Sequence, residues 1–401
     1  MGSDNISYPD DSCLGEIGIE DFLDQYWQKK PLLIRNAFPD MQSPLSADEL
    51  AGLACDEHVN SRIVLSGSDA SAKTSENWQV EFGPFDETRF ATLPDTNWSL
   101  LVSDVERHLP ETKSLLSSFR FVPDWRIDDL MISYAPPGGS VGAHTDAYDV
   151  FLIQLNGQRL WKISEHFDNE ILSDIDLCIL KTFDAEQEWT LNAGDMLYLP
   201  PNVAHHGIAQ PCHDDQGNEI HCMTASVGFR APSLSTITSD YIHFKNETNN
   251  DDSRYHDISP TKPSHHAEIS SKTVDNFVDY LQKGLTINND EVKQWLGKYC
   301  SDNKTFEDFS AKQLNVDFAE ICQFASRSEL IQSPYSNFLF SHTATASYLF
   351  VDGISYEVSQ LFAETLCEDS CINFQRLIET ISTSEKIIFT RLFNDGSVTT
   401  A

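Results

Sequence analysis

The chain has 401 residues with 27 basic and 62 acidic side chains, so its formal net charge is −35. Such a charge repels phosphate backbones and argues against general nucleic-acid binding, including direct binding to DNA. Hydrophobic residues make up 40% of the chain, as in a folded globular protein. No apolar run reaches the about 18 residues of a membrane helix, and no signal-peptide pattern opens the chain. Nine scattered cysteines without a CxxC pair indicate reduced thiols, so we expect a cytoplasmic protein without membrane contact.

The first 120 residues contain two clear patterns. Residues 19–27 have apolar side chains at helical spacing, and the Lys-Pro pair at 30–31 ends this helix. The apolar run 32–34 predicts a strand. Residues 61–120 are mixed and weakly patterned, so they predict no particular element.

Residues 121–230 consist of short apolar runs separated by Pro and Gly, which predicts an antiparallel barrel or sandwich. The runs 150–155 and 158–163 flank an Asn-Gly dipeptide, which favours a tight turn and predicts that the two strands form a hairpin. A second pair of strands, 189–191 and 196–199, brackets an Ala-Gly-Asp turn.

The remaining third of the chain changes character twice. Residues 241–272 are rich in polar residues, Pro and Ser, and predict a linker or loop. Residues 273–332 carry apolar side chains at helical spacing. Residues 333–401 predict a small winged-helix-like module, with a hairpin at 348–356, helices near 357–367 and 372–382, and a strand at 386–391. From residue 335 onward this module has three basic and eight acidic residues, a balance unlike that of a DNA reader.

The most informative constellation contains two histidines and one carboxylate. His144 and Asp146 lie two residues apart in a segment that reads as a strand, where alternate side chains share a face. Far downstream, a Gly-Asp turn leads through a strand and a Pro-Pro pair to His205 and His206. Such a facial triad is typical of non-haem Fe(II) oxygenases, because it leaves positions open for a bidentate 2-oxo acid and O₂. Only one of two neighbouring side chains can face the metal, and the spacing after the prolines favours His205 over His206.

Two further residues are candidates for binding the co-substrate. Arg159 shares a strand face with Trp161, and an inward arginine is costly unless it is paired, so the distal carboxylate of 2-oxoglutarate is its predicted partner. The alternative is a surface arginine, which would bury Lys162 and expose Trp161. Ser133 is a lone hydroxyl that either donates to the co-substrate or bonds to neighbouring backbone.

At these residues the sequence resembles the JmjC-type Fe(II)/2-oxoglutarate oxygenases, and most of all the bacterial ribosomal oxygenases that hydroxylate an arginine of a large-subunit ribosomal protein. The resemblance implies that His144, Asp146 and His205 bind Fe(II), that Arg159 and Ser133 contact 2-oxoglutarate, and that O₂ is the oxidant. It spans residues 17–235, and the segments that carry it are 26–35, 128–133, 138–151, 157–161, 199–201 and 226–230.

The resemblance also implies a mixed fold and a partner. A double-stranded β-helix catalytic domain of the jelly-roll or cupin type (1–240) would be followed by the polar linker (241–272), a helical dimerisation domain (273–332) and a winged-helix-like domain (333–401). The implied protein is a homodimeric 2-oxoglutarate-dependent dioxygenase that hydroxylates an arginine β-carbon of a basic ribosomal protein. Histidyl hydroxylation, lysyl demethylation of a basic protein, and a non-catalytic acidic interaction module are the alternatives.

Overall fold

A computed structural model describes residues 13–66, 77–248, 254–257, 262, 265–302 and 314–401. The chain folds into two compact units, residues 1–231 and 232–401. The helices described in the first unit are α1 Ile19–Gln25, α2 Ala47–Leu53, α3 Glu87–Phe90, α4 Val105–His108 and α5 Lys113–Ser117, with 3-10 turns at Pro110–Thr112 and Asp124–Arg126. Its strands are β1 Leu32–Ile34, β2 Ser61–Ser66, β3 Trp78–Phe82, β4 Trp98–Val102, β5 Ile127–Ala135, β6 Val150–Asn156, β7 Gln158–Ser164, β8 Gln187–Asn192, β9 Met196–Leu199, β10 Ala204–Gln210 and β11 Cys222–Phe229.

Two antiparallel sheets form the first unit, with strand orders β1-β9-β6-β11-β5-β4-β2-β3 and β10-β7-β8. Successive side chains of β6 point to opposite faces of the sheet, and both faces are buried. Leu152 packs against Trp161 and Ile163 of β7, which fills the space between the two sheets. Phe151 points the other way and packs against Phe22 of α1. The larger sheet therefore has an outer core under the N-terminal helices and an inner face toward the smaller sheet.

The predicted hairpin around the Asn-Gly dipeptide is wrong, although both of its strands are present. β6 pairs with β11 and β9, whereas β7 pairs with β10 and β8. β6 lies inside the larger sheet with both edges occupied, so this arrangement leaves no edge for β7. The chain instead crosses between sheets at Gly157, where φ is +62° and an added Cβ would lie 2.7 Å from the His221 carbonyl oxygen. β8 and β9, predicted as a second pair, also belong to different sheets.

The weakly patterned residues 61–120 supply three strands that were not predicted. β2, β3 and β4 extend the larger sheet beyond β5. All five residues of β4 are buried, so its sequence shows no alternation of apolar and polar residues. β2 begins and ends on buried serines, which a hydrophobicity pattern does not detect.

The second unit combines helices with two small sheets. Strands β13-β14-β15 form one sheet and β12 pairs with β16. Among the described residues, no helix has both the length and the apolar character needed to cross a membrane. The elements described here are α6 Leu234–Thr248, α7 Ser271–Gly284, α8 Asn289–Ser301, α9 Phe318–Ala325, β12 Leu330–Gln332, β13 Phe338–His342, β14 Ser347–Val351, β15 Ile354–Val358, α10 Gln360–Cys367, α11 Phe374–Thr380, α12 Thr383–Asn394 and β16 Val398–Thr400.

The predicted hairpin of the C-terminal module is confirmed by the pairing of β14 with β15, and its two helices are present as α10 and α11. The predicted strand at 386–391 is wrong, because these residues lie inside α12. Ser382 and Glu385 form a reciprocal capping box that starts this helix, and Phe389 and Phe393 then face the core four residues apart. The apolar residues Ile387, Ile388 and Phe389, which suggested a strand, all lie within this helix.

The predicted linker at 241–272 begins inside α6, so its first eight residues are helical rather than loop. Residues 249–253, 258–261 and 263–264 of that segment lie outside the described residues. The proposed domain boundaries at 272 and 332 stay predictions.

Candidate metal centre

Two backbone hydrogen bonds bring the predicted histidines together. The amide of His144 donates to the carbonyl of His205 at 3.0 Å, and the amide of His205 donates back at 2.9 Å. His205 lies at the start of β10, but the segment 144–146 is not a regular strand as predicted, since only His144 forms this isolated bridge. The carbonyl of Asp146 accepts from the amide of Asn202 at 2.7 Å, which fixes the backbone of the third residue.

The side chains of His144, Asp146 and His205 converge on one point. One possible ligand atom from each lies within 4.8 Å of the others. His205 Nε2 is 3.5 Å from Asp146 Oδ2, and the centroids of the two imidazoles are 4.2 Å apart. These separations allow all three groups to contact a single ion.

Each imidazole is oriented by a backbone carbonyl two residues earlier. Nδ1 of His144 donates to Gly142 O, and Nδ1 of His205 donates to Val203 O, both at 3.0 Å. A carbonyl only accepts, so the Nδ1 atoms carry the protons and the Nε2 lone pairs remain for a metal. Burial, followed by the charge of His144, holds the pKa of His205 well below its ordinary value, so at neutral pH no proton has to be displaced from it.

His206 faces away from this cluster. Its Nε2 shares a hydrogen bond of 2.9 Å with Ser140 Oγ, and its ring packs at 6.1 Å from that of Phe183. Burial also lowers the pKa of His206 to about 4, which keeps this interior imidazole neutral. The structure thus joins His205, and not its neighbour, to the other two residues.

Arg159 lies on β7 and points between the sheets, and only 4% of the residue is exposed. Its Nε donates to Cys222 Sγ at 3.2 Å, and the guanidinium carbon lies 5.7 Å from the centroid of the Trp161 ring. Nη2 is buried without a hydrogen-bond partner among the described residues. Lys162 points outward and pairs with Glu188 at 3.2 Å, which excludes the surface-arginine alternative.

Ser133 is buried on β5, and its hydroxyl donates to the carbonyl of Thr224 on the adjacent strand at 3.4 Å. This is the backbone-bonded alternative that the sequence left open. The hydroxyl oxygen keeps its lone pairs and is able to accept a further hydrogen bond.

Sequence reasoning missed an acidic group on the same face of β5. An added Cβ at Gly228 would lie 3.2 Å from Asp129 Oδ1 and 3.7 Å from the Tyr148 ring, so both side chains flank this glycine. Burial, followed by the charges of Asp104, Glu106 and Asp128, raises the pKa of Asp129 to about 7. The two adjacent acidic residues Asp128 and Asp129, near the start of a largely apolar strand, were the available signal.

The residues present fit the predicted cofactors chemically. Two neutral imidazoles and one carboxylate are the ligands that Fe(II) takes in oxygenases with open coordination positions. The buried guanidinium, with an unpartnered Nη2, fits an anionic co-substrate.

Comparison with known proteins gives the family. The JmjC domain model matches residues 114–237. The ribosomal protein uL16 3-hydroxylase of Escherichia coli is 37% identical over 285 residues, which cover 71% of each chain. This chain belongs to the ribosomal oxygenase family of JmjC proteins. A probable ribosomal oxygenase of Haemophilus influenzae is 41% identical over 232 residues, which cover 57% of this chain and 53% of that protein.

The same family is found among solved structures. The X-ray structure of E. coli YcfD superposes with a TM-score of 0.85 at 28% identity and covers 99% of this chain and 100% of its own. A structure of YcfD in complex with cobalt and 2-oxoglutarate has a TM-score of 0.81 at 28% identity, with 98% and 99% covered. The predicted fold class and the prediction of an Fe(II)- and 2-oxoglutarate-dependent oxygenase are confirmed, which removes support for a non-catalytic interaction module.

Proposed function

We propose that this protein is a cytoplasmic hydroxylase that uses Fe(II), O₂ and 2-oxoglutarate to modify an arginine β-carbon of the ribosomal protein uL16. The observation that carries this proposal is the convergence of His144, Asp146 and His205 within 4.8 Å. The E. coli relative, named as a uL16 3-hydroxylase, supports the choice of substrate. When bound, iron and 2-oxoglutarate supply the oxidising chemistry needed at an unactivated C–H bond.

The protein side chains orient the reactants. The carbonyls of Gly142 and Val203 hold the two imidazoles so that their Nε2 atoms face the metal position. Arg159 uses its unpartnered Nη2 to bind the distal carboxylate of 2-oxoglutarate. Ser133 would contact 2-oxoglutarate by turning its single hydroxyl proton from the carbonyl of Thr224 to the co-substrate. Chelated at one end and held at the other, the co-substrate adopts one orientation.

The acidic face of β5 suits a cationic substrate side chain. Asp129 and Tyr148 both flank Gly228, and Tyr148 follows the metal-site residue Asp146 by two positions. Three acidic neighbours act on Asp129, so a cation that binds beside it relieves their mutual repulsion. We infer that the guanidinium of the target arginine is bound there, with the Tyr148 ring beside it.

Asp129→Asn should weaken binding of an arginine-containing uL16 peptide roughly 10- to 100-fold, since a hydrogen bond to a charged group contributes about 1.5–3 kcal/mol. In the unaltered protein the peptide KM should fall as pH rises through about 7, because Asp129 then loses its proton. That dependence should disappear in the variant. Asp124→Asn is the matched control, because Asp124 is exposed, pairs with Arg120 and is not one of the three acidic groups that act on Asp129. Equal KM values for both variants across this pH range would contradict the assignment.

The same raised pKa has a consequence for stability. The folded state holds the Asp129 proton more tightly than the unfolded chain does, so this carboxyl reduces stability as pH rises from about 4 to about 7. Glu106, whose pKa burial also raises to about 7, adds to the same decline. Asp129→Asn should therefore lessen the loss of thermal stability between these pH values, measured by calorimetry.

We also propose that the protein is a homodimer that pairs through α7. Four apolar side chains at helical spacing, Val274, Phe277, Val278 and Leu281, are each 44–58% exposed. A contiguous apolar stripe of this kind on so acidic a protein marks an interaction surface. A second copy is the partner that presents a matching stripe without further assumptions.

Leu281→Asp should convert the dimer to a monomer, because a charge would be buried in an apolar interface. The measurement is mass by light scattering coupled to gel filtration. Gln282→Asp adds the same charge to the next residue of α7, outside the apolar stripe, and should leave the dimer intact. A monomeric unaltered protein, or dissociation by both variants, would refute this interface.

The experiment that tests the proposed function is mass spectrometry of a uL16 peptide after incubation with enzyme, Fe(II), 2-oxoglutarate and O₂. We expect a gain of one oxygen atom located on arginine. Oxygen on histidine would support the histidyl alternative, and loss of a methylene unit from methylated lysine would support demethylation. Either result would replace the arginine proposal.

A further inference from the structure

The guanidinium of Arg159 is hydrogen-bonded to a sulfur atom. Arg159 Nε donates to Cys222 Sγ at 3.2 Å, and this is the hydrogen bond that fixes the buried end of the side chain. Both residues are buried, with exposures of 4% and 1%. In the described residues no carboxylate forms an ion pair with Arg159 to set its direction instead.

The sulfur is itself held from the other side. Gln154 Nε2 donates to Cys222 Sγ at 3.2 Å and to the carbonyl of Asn156 at 2.7 Å. Gln154 Oε1 accepts from the hydroxyl of Thr224 at 3.2 Å, so every polar atom of this amide has a partner and its orientation is determined. All the side chains of this network are buried.

The network joins rigid elements of both sheets. Gln154 lies on β6, Cys222 and Thr224 lie on β11, and Arg159 lies on β7 of the smaller sheet. Cys222 also packs against Ala135 and Ala209, two small side chains that bring the neighbouring strands close to the sulfur. The position of the sulfur is therefore set by strand pairing and not by a mobile loop.

We propose that Cys222 is a positioning residue for 2-oxoglutarate binding, which acts by fixing the direction of the Arg159 guanidinium. With Nε engaged by sulfur, the guanidinium plane is fixed and Nη2 is left as a donor for the distal carboxylate. This inference rests on the proposed role of Arg159 and adds the residues that set its geometry. Without the sulfur, Nε loses its acceptor and the side chain gains rotamers that misplace Nη2.

The test compares Cys222→Ala with Cys222→Ser, and uses Cys13→Ala as the matched control. Cys13 is a fully buried thiol in the outer core, hydrogen-bonded to the carbonyl of Ser118. Affinity for 2-oxoglutarate is measured by titration calorimetry on cobalt-loaded protein, and KM and kcat are measured from succinate release. Thermal unfolding reports whether each variant is folded.

Cys222→Ala should weaken 2-oxoglutarate binding and raise its KM about tenfold, while kcat at saturation stays within about twofold. Cys222→Ser keeps an acceptor and should recover most of that loss. Cys13→Ala should have the affinity of the unaltered protein. Gln154→Met, which removes the donor that holds the sulfur, should change KM in the same direction by a smaller factor.

Three results would overturn the inference: equal affinities for Cys222→Ala and Cys13→Ala, no recovery in Cys222→Ser, or a fall in kcat with KM unchanged. Arg159→Met separates this inference from the proposed function. If Arg159→Met weakens 2-oxoglutarate binding and the Cys222 variants do not, only the positioning role fails. If Arg159→Met also leaves the affinity unchanged, the proposed role of Arg159 fails as well.

Discussion

His205→Ala is expected to abolish metal binding and hydroxylation, whereas His206→Gln retains both. The two histidines are neighbours on β10, but only His205 directs its Nε2 toward Asp146, at 3.5 Å. Changes in the groups that merely support metal ligands cost about 10- to 100-fold, so loss of a ligand should reduce turnover by at least about 100-fold. Glutamine at 206 keeps a group able to bond to Ser140, the partner of His206.

Metal content by inductively coupled plasma mass spectrometry and succinate release together test this prediction. We expect one iron per chain in the unaltered protein and in His206→Gln, and none in His205→Ala. The opposite pattern, with iron lost from His206→Gln and kept in His205→Ala, would show that His206 and not His205 is the metal ligand.

Arg159→Met is the second substitution with a large expected effect. It replaces a buried guanidinium by an apolar side chain of comparable length. Truncating one partner of a buried charge pair costs about 2–5 kcal/mol, so affinity for 2-oxoglutarate should fall by at least about 30-fold. Arg159→Lys keeps the charge without the planar fork and should have an intermediate affinity.

The same substitution should act on stability in the opposite direction. Without co-substrate, Nη2 of Arg159 is a buried donor that no described residue satisfies, and such a group costs about 1–3 kcal/mol. Arg159→Met should therefore raise the thermal midpoint in the absence of 2-oxoglutarate. Added 2-oxoglutarate should stabilise the unaltered protein and not the variant. A lower midpoint together with unchanged affinity would identify Arg159 as a structural residue.

The sequence predicted strands better than it predicted their partners. Apolar patterning located β6 and β7 because burial decides which residues form a strand. Pairing depends on which edges are free, and the Asn-Gly dipeptide carries no information about β9 and β11 occupying the edges of β6. The hairpin predicted at 348–356 is present. Its turn, Asp352-Gly353, has positive φ at both residues, and β14 pairs directly with β15.

The ligand residues were predictable because their residue types and spacing are unusual. The contact that aligns these ligands was not predictable, because the backbone bridge between His144 and His205 joins residues far apart in sequence. The burial of Arg159 followed from its alternation with Trp161. Its sulfur partner, Cys222, did not follow, because contacts between the two sheets depend on three-dimensional packing. Asp129 was missed for a similar reason, since two of its three acidic neighbours, Asp104 and Glu106, come from another segment of the chain.

The most direct test of the account is the mass of uL16 from cells that carry this gene, from cells that lack it, and from cells complemented with Asp146→Ala. We expect one additional oxygen on a single arginine in the first, and none in the other two. An arginine that stays oxygenated when the gene is absent, or when only the Asp146→Ala protein is present, would contradict the claim that this three-residue metal centre modifies uL16.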